Sequence, residues 1–257
     1  MLGVDRATFI KVDGEFFWCY EIRKKSVSAS PPPFLLIPLT TFMGALLRAV
    51  IMQTSKKPNL NHIDDFTKYF LYVSYRLEGD RKIFYDYESF YWWKSGKKGP
   101  ESYTSPLGGI IRPEYRLRGK IIPECVKTIK FSVIYLINKS TVKGDGYDVS
   151  DFITSAYGVT NIGSKYSIVD IYKVEYGDVV LRTDQRVLTR YSVVIFDDKY
   201  EIRGEYSTGS FEMRKNGKTL PYILYHPDTE AGILVIGDCV KYFEVSGENI
   251  VCPKELY

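Results

Sequence analysis

The chain has 257 residues, 45% of them hydrophobic and 26% charged, the balance of a water-soluble globular protein large enough for one large domain or two small ones. Its four cysteines (Cys19, Cys125, Cys239, Cys252) and two histidines (His62, His226) are scattered, which excludes a clustered structural zinc site and suits reduced, mostly buried thiols. The net charge of +4 hides an asymmetry: residues 1–150 carry 23 Lys+Arg against 15 Asp+Glu, residues 151–257 carry 12 against 16, and Tyr91 to Lys143 alone holds 11 against 3.

In chain order, Ala7 to Val12 and Glu15 to Ile22 read as strands that turn at Asp13-Gly14. The basic triplet Arg23, Lys24 and Lys25 follows. The stretch SVSASPPPFLLIPLTTFMGALLRAVIM, Ser26 to Met52, then changes character halfway. Pro31, Pro32, Pro33 and Pro38 hold its first half extended, because proline fixes φ and pushes its predecessor out of the helical region. Thr40 and Thr41 offer side-chain oxygens to the free amides of a helix start. Phe42 to Met52 is helix-compatible, with Arg48 its one polar residue, so the helix is expected to be buried on nearly every side. Gly44 costs that helix about 1 kcal/mol relative to alanine. Its use would be close approach by another backbone or by a phosphate near the first turn. The plain alternative is a core helix behind a proline-rich loop. A membrane span does not fit, because the prolines would break it and the apolar run is too short.

Asp64 to Leu77 has spacing that fits helix or strand, and Asp86 to Trp93 is rich in aromatics. Lys94 to Gly109, with four glycines, two prolines and Lys97-Lys98, has the composition of a projecting loop. Arg112 follows, and then Arg116, Arg118 and Lys120, which alternate and so share a face of an extended chain. Such a row can track a phosphate backbone, or it can protect an edge strand from pairing. The basic window as a whole is the footprint of a polyanion contact, or a solvated lysine-rich surface. The 22 tyrosines suit strands and cores, and also interfaces with protein or single-stranded nucleic acid.

Thr128 to Ile137 (TIKFSVIYLI) is a β-branched, aromatic run expected to be a central strand. Asn138 to Gly146 reads as a turn. Val149 to Tyr157 reads as a helix capped by Asp148 or Ser150, with Phe152, Ile153 and Ala156 inward and Gly158 ending it. In the loop Val159 to Ser167, Gly163, Ser164 and Lys165 can present an amide, a hydroxyl and an ammonium to one phosphate, or form a Gly-Ser turn with a solvated lysine. Ile168 to Tyr176 is a strand. From Val179 onward the chain reads as all-β: Val179 to Arg182, Val187 to Phe196, Tyr200 to Tyr206, Phe211 to Arg214, Tyr222 to Tyr225, Ile233 to Ile236 and Val240 to Val245. Turns are expected at Asp197-Asp198, Asn216-Gly217 and Gly237-Asp238. No P-loop, G-x-G-x-x-G, G-x-S-x-G or H-E-x-x-H motif occurs, and no catalytic residue, metal or cofactor is expected.

Two of these stretches resemble one family. Pro38-Leu39-Thr40-Thr41-Phe42-Met43-Gly44-Ala45-Leu46 is similar to the P-P-T-T-hydrophobic-hydrophobic-G-A-L signature of the CRISPR-associated Cas family five, with Leu39 in place of the second proline. Val159-Thr160-Asn161-Ile162-Gly163-Ser164-Lys165-Tyr166-Ser167 is similar to that family's I-T-R-I-G-S-K-E-S segment, with Asn161 and Tyr166 replacing Arg and Glu. The motifs lie in the family's order, and the type I-A archaeal branch fits best. The resemblance implies an α+β, ferredoxin-like (RRM-like) RAMP domain over residues 1–178, a thumb inserted at about 55–123, and a C-terminal β-rich subdomain over 179–257. It implies a non-catalytic, cytoplasmic Cascade subunit in antiviral defence that grips the five-prime handle of crRNA. Its partners would be the Cas family seven backbone, the large subunit and, inside the complex, target DNA. Taken with the charge pattern, the residues expected to meet RNA are Arg23, Lys24, Lys25, Thr40, Thr41, Gly44, Arg112, Arg116, Arg118, Lys120, Gly163, Ser164 and Lys165. An endoribonuclease is the alternative, since a type I-C relative processes crRNA with Tyr, Lys and His; here the histidines sit outside both motifs. A protein–protein adaptor without RNA affinity of its own is the third reading.

Overall fold

In chain order the computed structural model has β1 (Ala7–Phe16), β2 (Cys19–Tyr20), α1 (Leu39–Thr54), β3 (Phe70–Glu78), β4 (Lys82–Phe90), β5 (Ile110–Arg118), β6 (Ile121–Ile122), β7 (Cys125–Val126), β8 (Ile129–Asn138), α2 (Lys139–Gly144), α3 (Val149–Ala156) and β9 (Val169–Asp178). Then come β10 (Val180–Thr189), β11 (Val193–Val194), β12 (Glu201–Arg203), β13 (Tyr206–Glu212), β14 (Thr219–Tyr225), β15 (Ile233–Val245) and β16 (Glu248–Val251). The structure describes residues 7–17, 19–20, 36–55, 67–78, 82–90, 110–118, 121–122, 125–126, 129–163, 167–195, 200–212, 219–225 and 232–252.

The central sheet has the order β3-β8-β1-β9 and is antiparallel throughout. With α1 between β1 and β3, and α2 and α3 between β8 and β9, this is the β-α-β-β-α-β succession of a ferredoxin-like, α+β domain. The run chosen as central, β8, is central: from Phe131 to Ile137 every residue is buried, because helices cover one face and C-terminal strands the other. On the helix face Phe42 of α1 packs on Tyr75 at 4.8 Å and on Phe131 at 6.3 Å, while Phe152 of α3 packs on Phe70.

Several local expectations change. Asp13-Gly14 is not a turn. β1 runs straight through it, and the register against β9 shifts there. A Cβ on Gly14 would lie 2.6 Å from the Asp170 carbonyl and 2.7 Å from the Phe131 ring, so the glycine permits a close approach beside the bulge at Tyr172 of β9. Helix α1 begins three residues before Phe42. Pro38 is its N-cap, with no side-chain cap, and the Thr41 amide donates to the Pro38 carbonyl at 2.8 Å. Thr40 and Thr41 therefore lie in the first turn and are not caps: the fixed proline backbone already sets the entry. The expected turn at Asn138 to Gly146 contains α2, where the Asn138 side chain accepts from the Thr141 amide. Helix α3 is as expected, closed by a capping box between Asp148 and Asp151.

Phe70–Glu78, inside the 55–123 stretch expected for the insertion, is an edge strand of the central sheet. Between it and β8 the chain forms the β4–β5 hairpin, which β2 joins in the order β2-β5-β4, and the small β6–β7 pair. β5 is thus the middle strand of its sheet and not an edge, although β2 covers only Leu117 and Arg118.

The C-terminal region is all-β, as expected. One sheet has the order β10-β15-β12 with β16 on β15, and the other has β11-β14-β13. Gly237-Asp238 lies inside the continuous strand β15, so no turn forms there. The reversal comes later, at Ser246-Gly247, both at positive φ, and leads into the unanticipated β16. The expected break between Arg182 and Val187 is absent: β10 is continuous, and its register against β15 shifts between Asp184 and Arg186, where β15 carries the extra residues. β13 and β14 pair antiparallel on either side of Asn216-Gly217, which lies outside the described residues, as do Asp197-Asp198, His62 and His226.

A buried polar seam locks the two regions together. The Ser192 amide donates to the Tyr75 carbonyl at 2.8 Å, and the Tyr75 amide donates to Ser192 Oγ at 3.1 Å. Ser74 Oγ donates to the Ser192 carbonyl at 2.7 Å, which leaves it free to accept from Ser192 Oγ at 3.1 Å. Tyr191 lies 2.8 Å from Ser132 Oγ, which itself donates to Asp13. Arg76 pairs with Glu248 at 2.8 Å and with Glu78 at 3.2 Å, and its guanidinium lies over the Tyr191 ring. Burial pushes the phenols of Tyr72, Tyr135, Tyr191 and Tyr222 well above their ordinary value, so they stay protonated hydrogen-bond donors.

Candidate nucleic-acid interface

The strand registers bring the expected binding segments to one end of the central sheet. Phe16, the last residue of β1, pairs with Ile129 at the start of β8 and with Val169 at the start of β9. Glu78, the last residue of β3, pairs with Lys130 at the same end. The insertion therefore leaves and returns here, the chain enters β2 here, and the loop between α3 and β9 closes here. The first turn of α1 is at this end too: Phe42 lies against Phe131, which is paired with Gly14.

The α3–β9 loop is a hairpin. Asn161 bridges to Ile168, the Ile162 amide donates to the Ser167 carbonyl, and the Val169 amide donates to the Thr160 carbonyl. Gly163 at φ +97° begins the tip, a conformation an L side chain rarely adopts. Ser164 and Lys165 fall outside the described residues, but the hairpin stem around them is set. The neighbouring wall is α1. Its helix is less enclosed than expected: Thr40, Thr41, Gly44 and Ala45 are half-buried, while Arg48, Met52 and Gln53 are exposed. Nothing described lies within 4 Å of where a Gly44 Cβ would be, so no described part of the chain uses the space that glycine leaves.

Between these walls runs an open groove of about 360 Å³, lined by Ala45, Arg48, Ala49, Met52 and Gln53 of α1 and by residues 158–161. Its floor is apolar, and Arg48 is the only charged residue among its described lining residues. Gln53 is held by Ser155 Oγ at 2.8 Å, and Thr160 donates to the Asn161 side chain at 3.0 Å. Among the described residues Arg48 has no ion-pair partner, and no group of three or more metal-ligating side chains occurs. No described helix is long and apolar enough to cross a membrane.

The groove brings together Ala45 of the first motif and Val159, Thr160 and Asn161 of the second, while Thr40, Thr41, Gly44 and Gly163 are not among its lining residues. Arg112, Arg116 and Arg118 are on β5, in register with Glu88, Phe84 and Lys82 of β4, and Arg118 also pairs with Cys19. Arg23, Lys24, Lys25 and Lys120 lie outside the described residues. Sequence reasoning passed over Arg48, Met52 and Gln53. Arg48 had a visible signal, as the lone charge in an otherwise apolar helix.

No protein-family model matches the chain. A curated protein, CRISPR-associated protein Cas5 2 of Saccharolobus solfataricus, is 24% identical over 192 residues, covering 72% of this chain and 67% of that protein. This likeness supports a Cas5 assignment. The crystal structure of a CRISPR protein from Archaeoglobus fulgidus superposes over 96% of this chain and all of that one, with a TM-score of 0.61 at 19% identity, a likeness of fold. Against the Cas5 signature, Leu39 is buried in the first turn where the family has its second proline, and the extended entry rests on Pro38 alone. Asn161, where the family has Arg, forms the closing bridge of the hairpin, so the exchange removes a cation while the hairpin stays closed.

Proposed function

We propose that this chain is a non-catalytic RNA-binding subunit of a type I CRISPR surveillance complex, in the archaeal type I-A branch, acting in antiviral defence in the cytoplasm. It holds the five-prime handle of crRNA and joins a Cas family seven backbone to the large subunit, near target DNA. The observation that carries this reading is convergence. Two family motifs about 120 residues apart in sequence, and the insertion that bears Arg112, Arg116 and Arg118, meet at one end of a single sheet. That end offers a glycine-tipped hairpin, and the groove between the hairpin's stem and α1 adds Arg48, which has no ion-pair partner among the described residues; these are parts a phosphate backbone needs. Burial holds the phenols of Tyr72, Tyr135, Tyr191 and Tyr222 protonated, so these four are core donors and not bases for a 2′-hydroxyl.

The test is titration of a labelled handle oligonucleotide at low and high salt, followed by gel analysis of the RNA. Binding that weakens with salt while the RNA stays intact is expected. Cut RNA would make the chain an endoribonuclease, and absence of binding at every salt would leave a protein adaptor.

A further inference from the structure

We propose that Phe17, backed by Ile168, is a stacking platform for one unpaired base of the bound RNA; the inference rests on the RNA-binding reading above. β1 alternates between the helix face and the opposite face until Phe16, which is buried against Phe131 at 5.0 Å and Tyr20 at 5.5 Å. The next residue, Phe17, is 46% exposed, and no described ring packs on it. It is not a loose side chain on a loose segment. Its amide donates to the Ile168 carbonyl at 3.1 Å, which ties it to the stem of the glycine hairpin. Ile168 is itself 41% exposed, so the two residues joined by this backbone bond both present apolar surface.

Their position gives the occupant. On one side is the hairpin whose tip starts at Gly163, with Lys165 two residues further in sequence. On the other, two residues past Phe17, Cys19 pairs with Arg118 at the base of the arginine-bearing strand. An apolar step between two segments that carry cations fits a polymer with charged edges and flat apolar units, which is single-stranded RNA. Aromatic stacking of this kind tolerates any base, because every base has a π-face.

The experiment uses the full chain, a labelled handle RNA and a set of the same RNA with one abasic site at each position in turn, measured at several salt concentrations. Phe17→Ala is expected to weaken binding about tenfold, within the range of a single lost base stack. The slope of affinity against salt should not change, since no phosphate contact is lost. Phe17→Trp should bind at least as well as the parent chain. One abasic position should weaken the parent by a similar factor and add nothing to Phe17→Ala. Salt-dependent binding by the parent chain with no loss in Phe17→Ala overturns the platform and leaves the RNA reading standing. So does a loss that simply adds to that of every abasic site. If the parent chain binds no RNA at any salt, the RNA reading itself falls.

Discussion

The seam at β3 and β8 and the open end of the same sheet use polar groups in opposite ways. At the seam, Ser74, Tyr75 and Ser192 exchange four hydrogen bonds, and the Tyr191, Ser132 and Asp13 chain is closed at both ends. At the open end the first turn of α1 has no side-chain cap, Gly44 faces empty space, Arg48 has no described partner, and Phe17 faces water. Both are built on the same four strands, so the difference is not one of fold quality. Buried polar groups must be paired because leaving them unpaired costs about 1–3 kcal/mol each. Groups left unpaired at the rim are the ones available to another molecule.

The largest effect is expected where the seam is broken. Tyr191→Ala removes a fully buried ring and its hydrogen bond to Ser132, which keeps its bond to Asp13, and should destabilise the fold by about 3–5 kcal/mol. Thermal unfolding checks this, and the salt slope of RNA binding by the folded fraction should not move. The next largest effect lies at the open end and has the reverse signature. Lys165→Ala with Arg116→Ala and Arg118→Ala should leave thermal stability nearly unchanged and lower the salt slope by about 2, the value for three lost phosphate contacts on a single strand. Equal slopes in parent and triple variant would show that these cations only solvate the surface. Arg48→Ala is the single-residue version, with a slope change of about 0.7 and little change in stability for so exposed a residue.

Much of this contrast was legible in the sequence as pieces and not as a place. The β-branched run of β8 and the capping chemistry of α3 declared themselves locally, because propensity and burial agree there. Gly14 and Gly237 misled, since both were read as turns. In the fold each sits in a continuous strand where a neighbour presses close: Phe131 and the Asp170 carbonyl on Gly14, the Tyr200 ring on Gly237. Glycine signals missing side-chain volume, and only tertiary contacts decide whether that volume serves a reversal or an approach. The meeting of the two motifs depends on Phe16 pairing with both Ile129 and Val169, a long-range register that no window of sequence contains. Phe17 read as one more strand residue, because its exposure follows from β1 stopping one residue earlier.

The smallest expected effect separates the two regions most cleanly, because its two readouts have opposite signs. Gly44 lies within a helix, and alanine there is favoured by about 1 kcal/mol when nothing opposes the new methyl. Nothing does, since the space is open to 4 Å. Gly44→Ala should therefore raise the unfolding midpoint by a few degrees. A glycine kept where it costs the helix needs a compensating use, and no described part of the chain supplies one at this point. If a phosphate or a sugar of the RNA comes against the first turn, the same methyl obstructs it, and affinity should drop severalfold as stability rises. A rise in both, or a rise in stability with affinity unchanged, would move the RNA path away from α1 and onto the hairpin and the arginine strand alone.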